Sequence, residues 1–511
     1  MKPRSPKKAS LKFLYTLHAW LGFHLAVLMA LVLLTGTLAV IANEIDWLFQ
    51  DDMRVTRGAA TEKVSWGQLQ AAARAYRPDD TLVSLSALKG DYFAYRARMR
   101  DVYGRPYFLH LNPWNGDVTG ITRPLTVQRF FRDLHRYLFL PKVIGLPLVT
   151  SLAFVLAISL YTGLKTTRKW RRAATKLRTD RGARVAVSDA HKAGGLWSSW
   201  LMVIIILTSL WYLAEFIGQL SRQPFEPMRP GLSDARTASL GPVIPDVDAD
   251  TLVAAATAAF PELQSRVIYF AGRANQAVTV QGRAGSFLVR DRANRVFLDP
   301  VDASVIHVQR SQDIGWVAFL NEIADPLHFG YFGGLVTKLM WFVFALMLTG
   351  LSISGVWLMW KRLRTRAPSR TQWATLPILV VSMIFGVFWF QRIVGPFVPA
   401  AERHLPADTR ASLQQSAHIA LDRNQQPTGR VRALVRAAQG RPHVVEVSVT
   451  LLPANSTVTT RVRTLGQSVP VYVDFTPEQL ADAREIQLRS EFVQGASWLS
   501  HWVLMREPPD S

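Results

Sequence analysis

The sequence predicts a helical membrane bundle of five transmembrane helices carrying small α+β units on one side of the bilayer. Three observations predict it. Five apolar runs approach the roughly twenty helical residues that a hydrocarbon core about 30 Å thick requires. Lysine and arginine are concentrated in three short connections. The stretches between the runs mix helical periodicity with strand alternation, as water-facing domains do.

A basic tail, 1–12, precedes the first span, 13–43. Its apolar run, Leu14–Ile41, is too long for the core of a signal peptide and no small-x-small cleavage site follows, so it reads as an anchor. The first α+β unit is 44–142. In it "TEKVSWGQLQAAARAY" has helical spacing and a Ser-initiated start, "DYFAYRARMR" and "RPYFLHLNPWNGDVTGI" read as strands, and Asn115–Gly116 is a turn signal. The second span is 143–164, followed by a basic loop, 165–190, and the third span, 191–217. The second unit, 218–326, repeats the order: "DADTLVAAATAAFPEL" reads as helix, then "RVIYFAG", "QAVTVQGR", "SFLVRD" and "NRVFLDPVDASVIHVQ" as strands. A fourth span, 327–360, a basic linker, 361–373, and a fifth span, 374–394, with its apolar run Leu376–Val394, lead to a final α+β portion, 395–511. There "DTRASLQQSAHIALD" reads as helix, and "HVVEVSVTLL", "TVTTRVRTL" and "SVPVYVDF" as strands.

The tail, the 165–190 loop and the 361–373 linker together hold +17 of the net +22. Short loops rich in lysine and arginine stay in the cytoplasm. The N-terminus is therefore expected inside, and both α+β units and the C-terminus outside, which in a bacterium is the periplasm. Most of the basic charge is then a topology signal, and nucleic acid is not an expected partner. The chain has no cysteine, which excludes disulfides, thiolate catalysis and cysteine-ligated iron–sulfur clusters. It has no Walker loop, Gly-rich dinucleotide fingerprint, HExxH or legible Ser/His/Asp order.

Of eleven histidines, four stand at the mouths of spans. His18 is near the inner end of the first and His191 opens the third from inside. His135 and His328 precede the second and fourth from outside. That places His18 with His191 at one face and His135 with His328 at the other. His24 is about 9 Å deeper than His18 at 1.5 Å per residue and is an alternative inner ligand. An intramembrane titratable group is costly and marks a site or a pathway, although a lone one often serves only as a helix–helix hydrogen bond. Neutral imidazole ligates iron, and haem fits between helices whose side chains clamp it. Two such pairs would hold two haems, each iron six-coordinate and suited to passing electrons. Arg132, Arg136 and Lys338 are candidates for the propionates, or else snorkelling cations. Trp20, Trp197 and Trp200 either line the inner site or form an interfacial belt. His110, His307, His404, His418, His443 and His501 read as structural or surface residues.

"LHAWLGF", "DLHRYLFL", "DAHKAGGLW" and "PLHFGYFGG" carry a family resemblance. The chain resembles the PepSY-associated transmembrane proteins, iron-regulated proteins of bacterial inner membranes, over about residues 10–365. "LHLNPWNGDVTG" and "VFLDPVDASV" look like its PepSY-type modules, which makes the outer units PepSY-like domains. Ala19 stands where the pattern usually has Arg, and "VDASV" departs from its D-P-x-T-G turn. The resemblance implies His18, His135, His191 and His328 as ligands of haem b, two per chain. It also implies a ferric-siderophore reductase: electrons from an unidentified cytoplasmic or quinol donor would cross the bilayer and reduce Fe(III)–siderophore in the periplasm. Two other expectations stay open: a non-enzymatic PepSY regulator or binding module held by its anchors, and a transporter of siderophore or iron.

Overall fold

The computed structural model describes residues 6–363 and 413–503 together with 381, 384 and 385, except 77–79, 101–105, 168, 228, 234, 237–242, 246, 273–275, 422–426, 438–442, 465–468, 482, 484 and 493–496. The fifth span, 374–394, lies outside these described residues apart from three isolated positions.

The expected first span, 13–43, falls mainly on two helices, α1 (Pro6–His24) and α2 (Ala26–Val40), broken at Leu25 (φ −105°, ψ 2°) three residues after Gly22. A second break at Ile41 bends α3 (Ala42–Phe49) by 61° from α2. Three further helices are long and apolar enough to cross a membrane: α6 (Lys142–Thr166), α9 (Ser199–Leu220) and α12 (Gly334–Leu363). The chain is thus a multi-pass membrane protein with three such helices among the described residues, or four if the bent α2–α3 pair is one span.

The histidine-bearing entries are helices of their own. α5 (Val127–Tyr137) starts with Thr126 accepting from Arg129 N at 3.1 Å and ends at Leu138 in the left-handed conformation. α8 (Ala183–Trp197) follows the short α7 (Trp170–Thr175) and breaks from α9 at Ser198. The helix Trp316–Phe329, α11, ends at Gly330 with φ +68°.

The two α+β units are not separate domains. Strands β1 (Thr81–Ser86), β2 (Tyr95–Arg100), β3 (Pro106–Leu111) and β4 (Val118–Thr122) join β6 (Gln264–Tyr269), β7 (Val278–Arg283), β8 (Asn294–Leu298) and β9 (Val305–Gln309) in one eight-stranded sheet. Its order is β4-β3-β2-β1-β6-β7-β8-β9, the two halves meeting antiparallel where Ser84 faces Tyr269 and Leu85 faces Ile268. One face is covered by α4 (Trp66–Tyr76) and α10 (Ala249–Ala259) over Leu69, Leu85, Met99, Leu109, Ile268, Val280 and Leu298. Asp250 locks the helices together, accepting from Gly67 N (2.8 Å) and Ser65 Oγ (2.6 Å). The predicted Asn115–Gly116 turn is present, with Gly116 at φ +83°. "SFLVRD" is not the expected strand: its end is a 3₁₀ turn, Asp291–Ala293. The reason is Arg290, whose backbone N–H bonds Glu322 O (3.1 Å) and whose guanidinium bonds Glu322 Oε2 (2.9 Å) and Asp325 Oδ2 (2.8 Å). These groups serve α11 rather than a strand ladder.

The mirrored strand order continues into the membrane. α6 packs on α9 as α12 packs on α2, and α1 packs on α6 as α8 packs on α12. Each half therefore runs helix pair, sheet unit, short helix, long apolar helix, in the same order. This is a parallel repeat with its axis between the halves.

The described residues of the C-terminal portion are mostly in strands. β11 (Pro427–Ala437), β10 (Leu413–Leu421) and β14 (Val469–Asp474) form one sheet; β12 (His443–Leu452), β13 (Ser456–Thr464), β15 (Glu485–Phe492) and β16 (Ser497–Val503) form another. One short helix, α13 (Pro477–Ala481), accompanies them. They enclose Val431, Ala433, Val445, Val447, Val449, Ile486 and Leu488. The first sheet is completed in parallel by β5 (Val243–Pro245), a strand from the segment after α9. The expected helix over "DTRASLQQSAHIALD" is corrected: 413–421 is β10, paired along its length with β11. Leu413, Ala417, Ile419 and Leu421 fall on alternate positions, a period of two that the local helical reading overlooked.

Candidate functional site

The structure brings the four expected histidines together in the expected pairs. His18 and His191 have ring centres 6.3 Å apart, and His135 and His328 6.0 Å. Two imidazoles sharing one metal at about 2.0–2.1 Å per bond have ring centres roughly 6 Å apart. In the repeat, His191 is the counterpart of His18 and His328 that of His135, so each pair straddles the axis.

Every Nδ1 is held. His18 Nδ1 lies 3.1 Å from Ser159 O and 3.0 Å from Thr162 Oγ1. His135 Nδ1 lies 2.8 Å from Val32 O. A carbonyl only accepts, so both of these nitrogens carry the hydrogen and donate. His191 Nδ1 meets Ser354 Oγ and His328 Nδ1 meets Thr208 Oγ1, each at 2.8 Å. Ser354 already donates to Leu351 O (3.1 Å) and Thr208 to Ile204 O (2.8 Å). With its proton on that carbonyl, each hydroxyl is an acceptor for the imidazole Nδ1–H. The carbonyl contacts make His18 and His135 Nδ1–H tautomers, the hydroxyl contacts suit the same tautomer at His191 and His328, and none of the four Nε2 atoms has a hydrogen-bond partner among the described residues. That leaves Nε2 with a lone pair for a metal, the arrangement by which outer hydrogen bonds orient ligating histidines.

Small residues give the rings room. A Cβ on Gly163 would stand 3.4 Å from His18 Cε1, one on Gly355 3.5 Å from His191 Cε1, and one on Gly36 only 2.6 Å from His135 Cε1. Beside the first pair lies a cavity of about 530 Å³. Its walls include His18, His191, Gly163, Gly195, Leu351 and Gly355, with Arg184 and Lys192 toward the basic loop. Arg178 also lines it and is bound to Asp189 through Nε (2.7 Å) and Nη2 (2.8 Å). That pairing holds the Asp189 carboxyl well below the ordinary carboxylate range.

The second pair sits toward the sheet, beneath a polar cluster that sequence reasoning missed. Tyr212 packs its ring 5.3 Å from that of His328 and donates to Asp325 Oδ1 at 2.7 Å. Asp325 and Glu322 are both held by Arg290, and Glu322 also by Arg292 at 3.1 Å. Arg132 and Arg136 flank His135 on α5 and make no ion pair among the described residues; Arg132 feels the charges of Asp133 and Asp325. Lys338 is already taken up: its ammonium lies 2.5 Å from both Glu44 oxygens. The contact fastens α3 to α12. His24 belongs to α1, but its side chain lies outside the described residues. Trp200 packs on Trp341 (5.1 Å) and Phe344 (5.0 Å), whereas Trp20 and Trp197 are exposed. His110 is buried in the sheet, as a structural residue would be.

Thr162–Gly163 and Ser354–Gly355 were also missed. Their signal was present: "TG" and "SG" occupy matching places near the ends of the second spans of the two halves. Among the described residues there is no group of three or more His, Asp or Glu side chains arranged for a bare metal ion. Two histidines per centre suit a metal whose remaining ligands come from a flat macrocycle, and the cavity beside the first pair has the volume of a cofactor site.

A sequence model of the PepSY-associated TM region matches residues 15–362. No curated protein matches the chain. The family match covers more than half of the sequence, and the chain belongs to that family.

Proposed function

We propose, starting from this membership, that the chain is a transmembrane electron carrier of a bacterial inner membrane, reducing Fe(III)–siderophore on the periplasmic side. The observation that carries the reading is the arrangement of the four imidazoles: paired at about 6 Å, each Nδ1 held by a carbonyl or hydroxyl, and no Nε2 with a hydrogen-bond partner among the described residues. His18 with His191, and His135 with His328, would each hold one haem b. Haem would supply a one-electron centre, its iron alternating between Fe(III) and Fe(II).

The chain's own residues do the rest. Ser159, Thr162, Ser354, Thr208 and the Val32 carbonyl fix each ring and its tautomer. Arg132 and Arg136 supply positive charge beside the second pair, suited to carboxylates. The two centres are separated by 14 residues along α1–α2 (His18 to Val32) and by 17 along α8–α9 (His191 to Thr208), roughly 21–26 Å at 1.5 Å per residue. That spacing divides the bilayer into two stations. The basic tail and loops favour a cytoplasmic N-terminus, so the first pair faces the donor and the second the sheet domain. Fe(III) is held by hard oxygen donors that bind Fe(II) far less strongly, so one electron per iron loosens the metal without destroying the chelator.

Reconstitution in sealed vesicles tests the proposal. With a reductant inside, Fe(II) should appear outside, trapped by a ferrous chelator, when Fe(III)–siderophore is added outside. His135→Ala and His328→Ala should abolish that signal. Undiminished reduction by both variants, or labelled iron accumulating inside, would point instead to the binding-module or transporter reading.

A further inference from the structure

Three cations converge beside the central β1–β6 seam of the eight-stranded sheet, where Lys89 meets Tyr331. Lys89 follows β1, Arg266 lies in β6 and Arg283 ends β7. The seam between the halves gathers them: Ala87 N donates to Arg266 O at 2.8 Å, and Gln264 pairs with Arg283 across β6–β7. Lys89 feels the positive charge of both arginines. None of the three has a carboxylate within ion-pairing distance among the described residues. The nearby acids are Asp91, already bound to Lys63 at 2.7 Å, and Asp291 in the 3₁₀ turn. Arg266 Nε is buried and has no hydrogen-bond partner.

The patch is placed at the end of the path described above. Lys89 Nζ stands 4.1 Å from the centre of the Tyr331 ring. Tyr331 is three residues beyond His328 and borders the Asp325–Arg290 cluster, whose Tyr212 touches His328. Asp291 offsets part of the charge on Lys89, but the three cations outnumber it, and a bound anion removes the remaining repulsion while satisfying the orphaned donor.

We infer that Lys89, Arg266 and Arg283 dock an anionic Fe(III) chelate, one whose oxygen donors leave it net negative, and select against cationic chelates. This rests on the reductase reading for the identity of the metal. Its test is built to be independent of electron transfer. Gallium(III) mimics Fe(III) in size and charge but is not reduced under these conditions. Binding of a gallium tris-catecholate, an anion, and of a positively charged gallium tris-hydroxamate would be measured by tryptophan fluorescence on the full-length protein in neutral-lipid nanodiscs.

The anion should bind more tightly, and the preference should shrink as salt is raised. Lys89→Gln with Arg283→Gln, both at exposed positions, should weaken the anion by about tenfold and leave the cation unchanged. Equal affinity for the two chelates, or an anion affinity unmoved by the double variant, would overturn the inference even if the protein proves to be a reductase. Loss of anion binding in phosphatidylglycerol nanodiscs would overturn it too, since the patch would then be a lipid headgroup site. Charge-selective gallium binding by a protein that reduces nothing would instead leave docking intact and remove the reductase reading.

Discussion

At the scale of single residues, the account depends on hydrogen bonds that fix imidazole tautomers. Thr208 is the informative one, because Val32 offers His135 a backbone carbonyl that no substitution removes. Thr208→Val keeps shape but takes away the acceptor for His328 Nδ1. Retention of the group at the second centre should fall roughly 10–100-fold, the usual effect of losing such an outer partner, and haem dissociation to an apo-protein acceptor would measure it. A different histidine gives a pH prediction for the sheet domain. His110 is 1% exposed, its Nε2 is 2.8 Å from Thr122 Oγ1, and its Nδ1 has no partner. Burial, helped by the Arg96 charge, lowers its pKa from 6.5 to about 4. The folded state therefore keeps His110 neutral while the unfolded state takes up a proton below about pH 6.5. Its contribution is complete above pH 6.5 and is lost progressively as pH falls to about 4, a span worth about 3 kcal/mol. Thermal unfolding at pH 7.5 and pH 5 should drop more for the wild type than for His110→Gln; equal drops would contradict this.

At the scale of elements, the short helices α5 and α11 matter because they deliver His135 and His328 without being spans themselves. α11 ends at Gly330, where a Cβ would both occupy the left-handed region and collide with the Trp341 ring. Gly330→Ala should cost at least the roughly 1–2 kcal/mol of that backbone strain and shift His328. A lower melting temperature and a perturbed second-centre spectrum check it. Gly36→Val should act on His135 by direct contact, since even a Cβ would reach 2.6 Å from its ring. This substitution should lower occupancy of the second centre while leaving the first unchanged. Element types were largely legible in the sequence: apolar runs gave α6, α9 and α12, and period-two stretches gave β2, β3, β7 and β12. Legibility failed where tertiary contacts overrode local pattern. Arg290 draws the "SFLVRD" segment onto α11, and the 413–421 strand is stabilised by β11, distant in local pattern though near in sequence. The histidine pairs were legible because imidazoles at span entrances are costly and few. The Tyr212–Asp325–Arg290 cluster was not, because its members are 35 to 113 residues apart and carry no motif.

At the scale of the whole molecule, two similar halves share one sheet and one bundle. The β1–β6 seam joins the units edge to edge, and the helices repeat the relation, so each histidine pair takes one residue from each half. α5 is held by Asp46 of α3, which accepts from Val127 N (2.7 Å) and Gln128 N (3.0 Å), and α11 is held by Arg290, which precedes the 3₁₀ turn leading into β8. The β-rich C-terminal portion is fastened to both halves, through β5 of the second and through Thr81 Oγ1 of β1 in the first, 2.5 Å from Tyr472 Oη. The most direct test of the central claim is a count of haem per chain by the pyridine haemochrome spectrum on protein purified from haem-replete cells. The account predicts two b-type haems per chain, falling to one in His18→Ala and to one in His328→Ala. A colourless protein, or a haem content unchanged by either substitution, would contradict it.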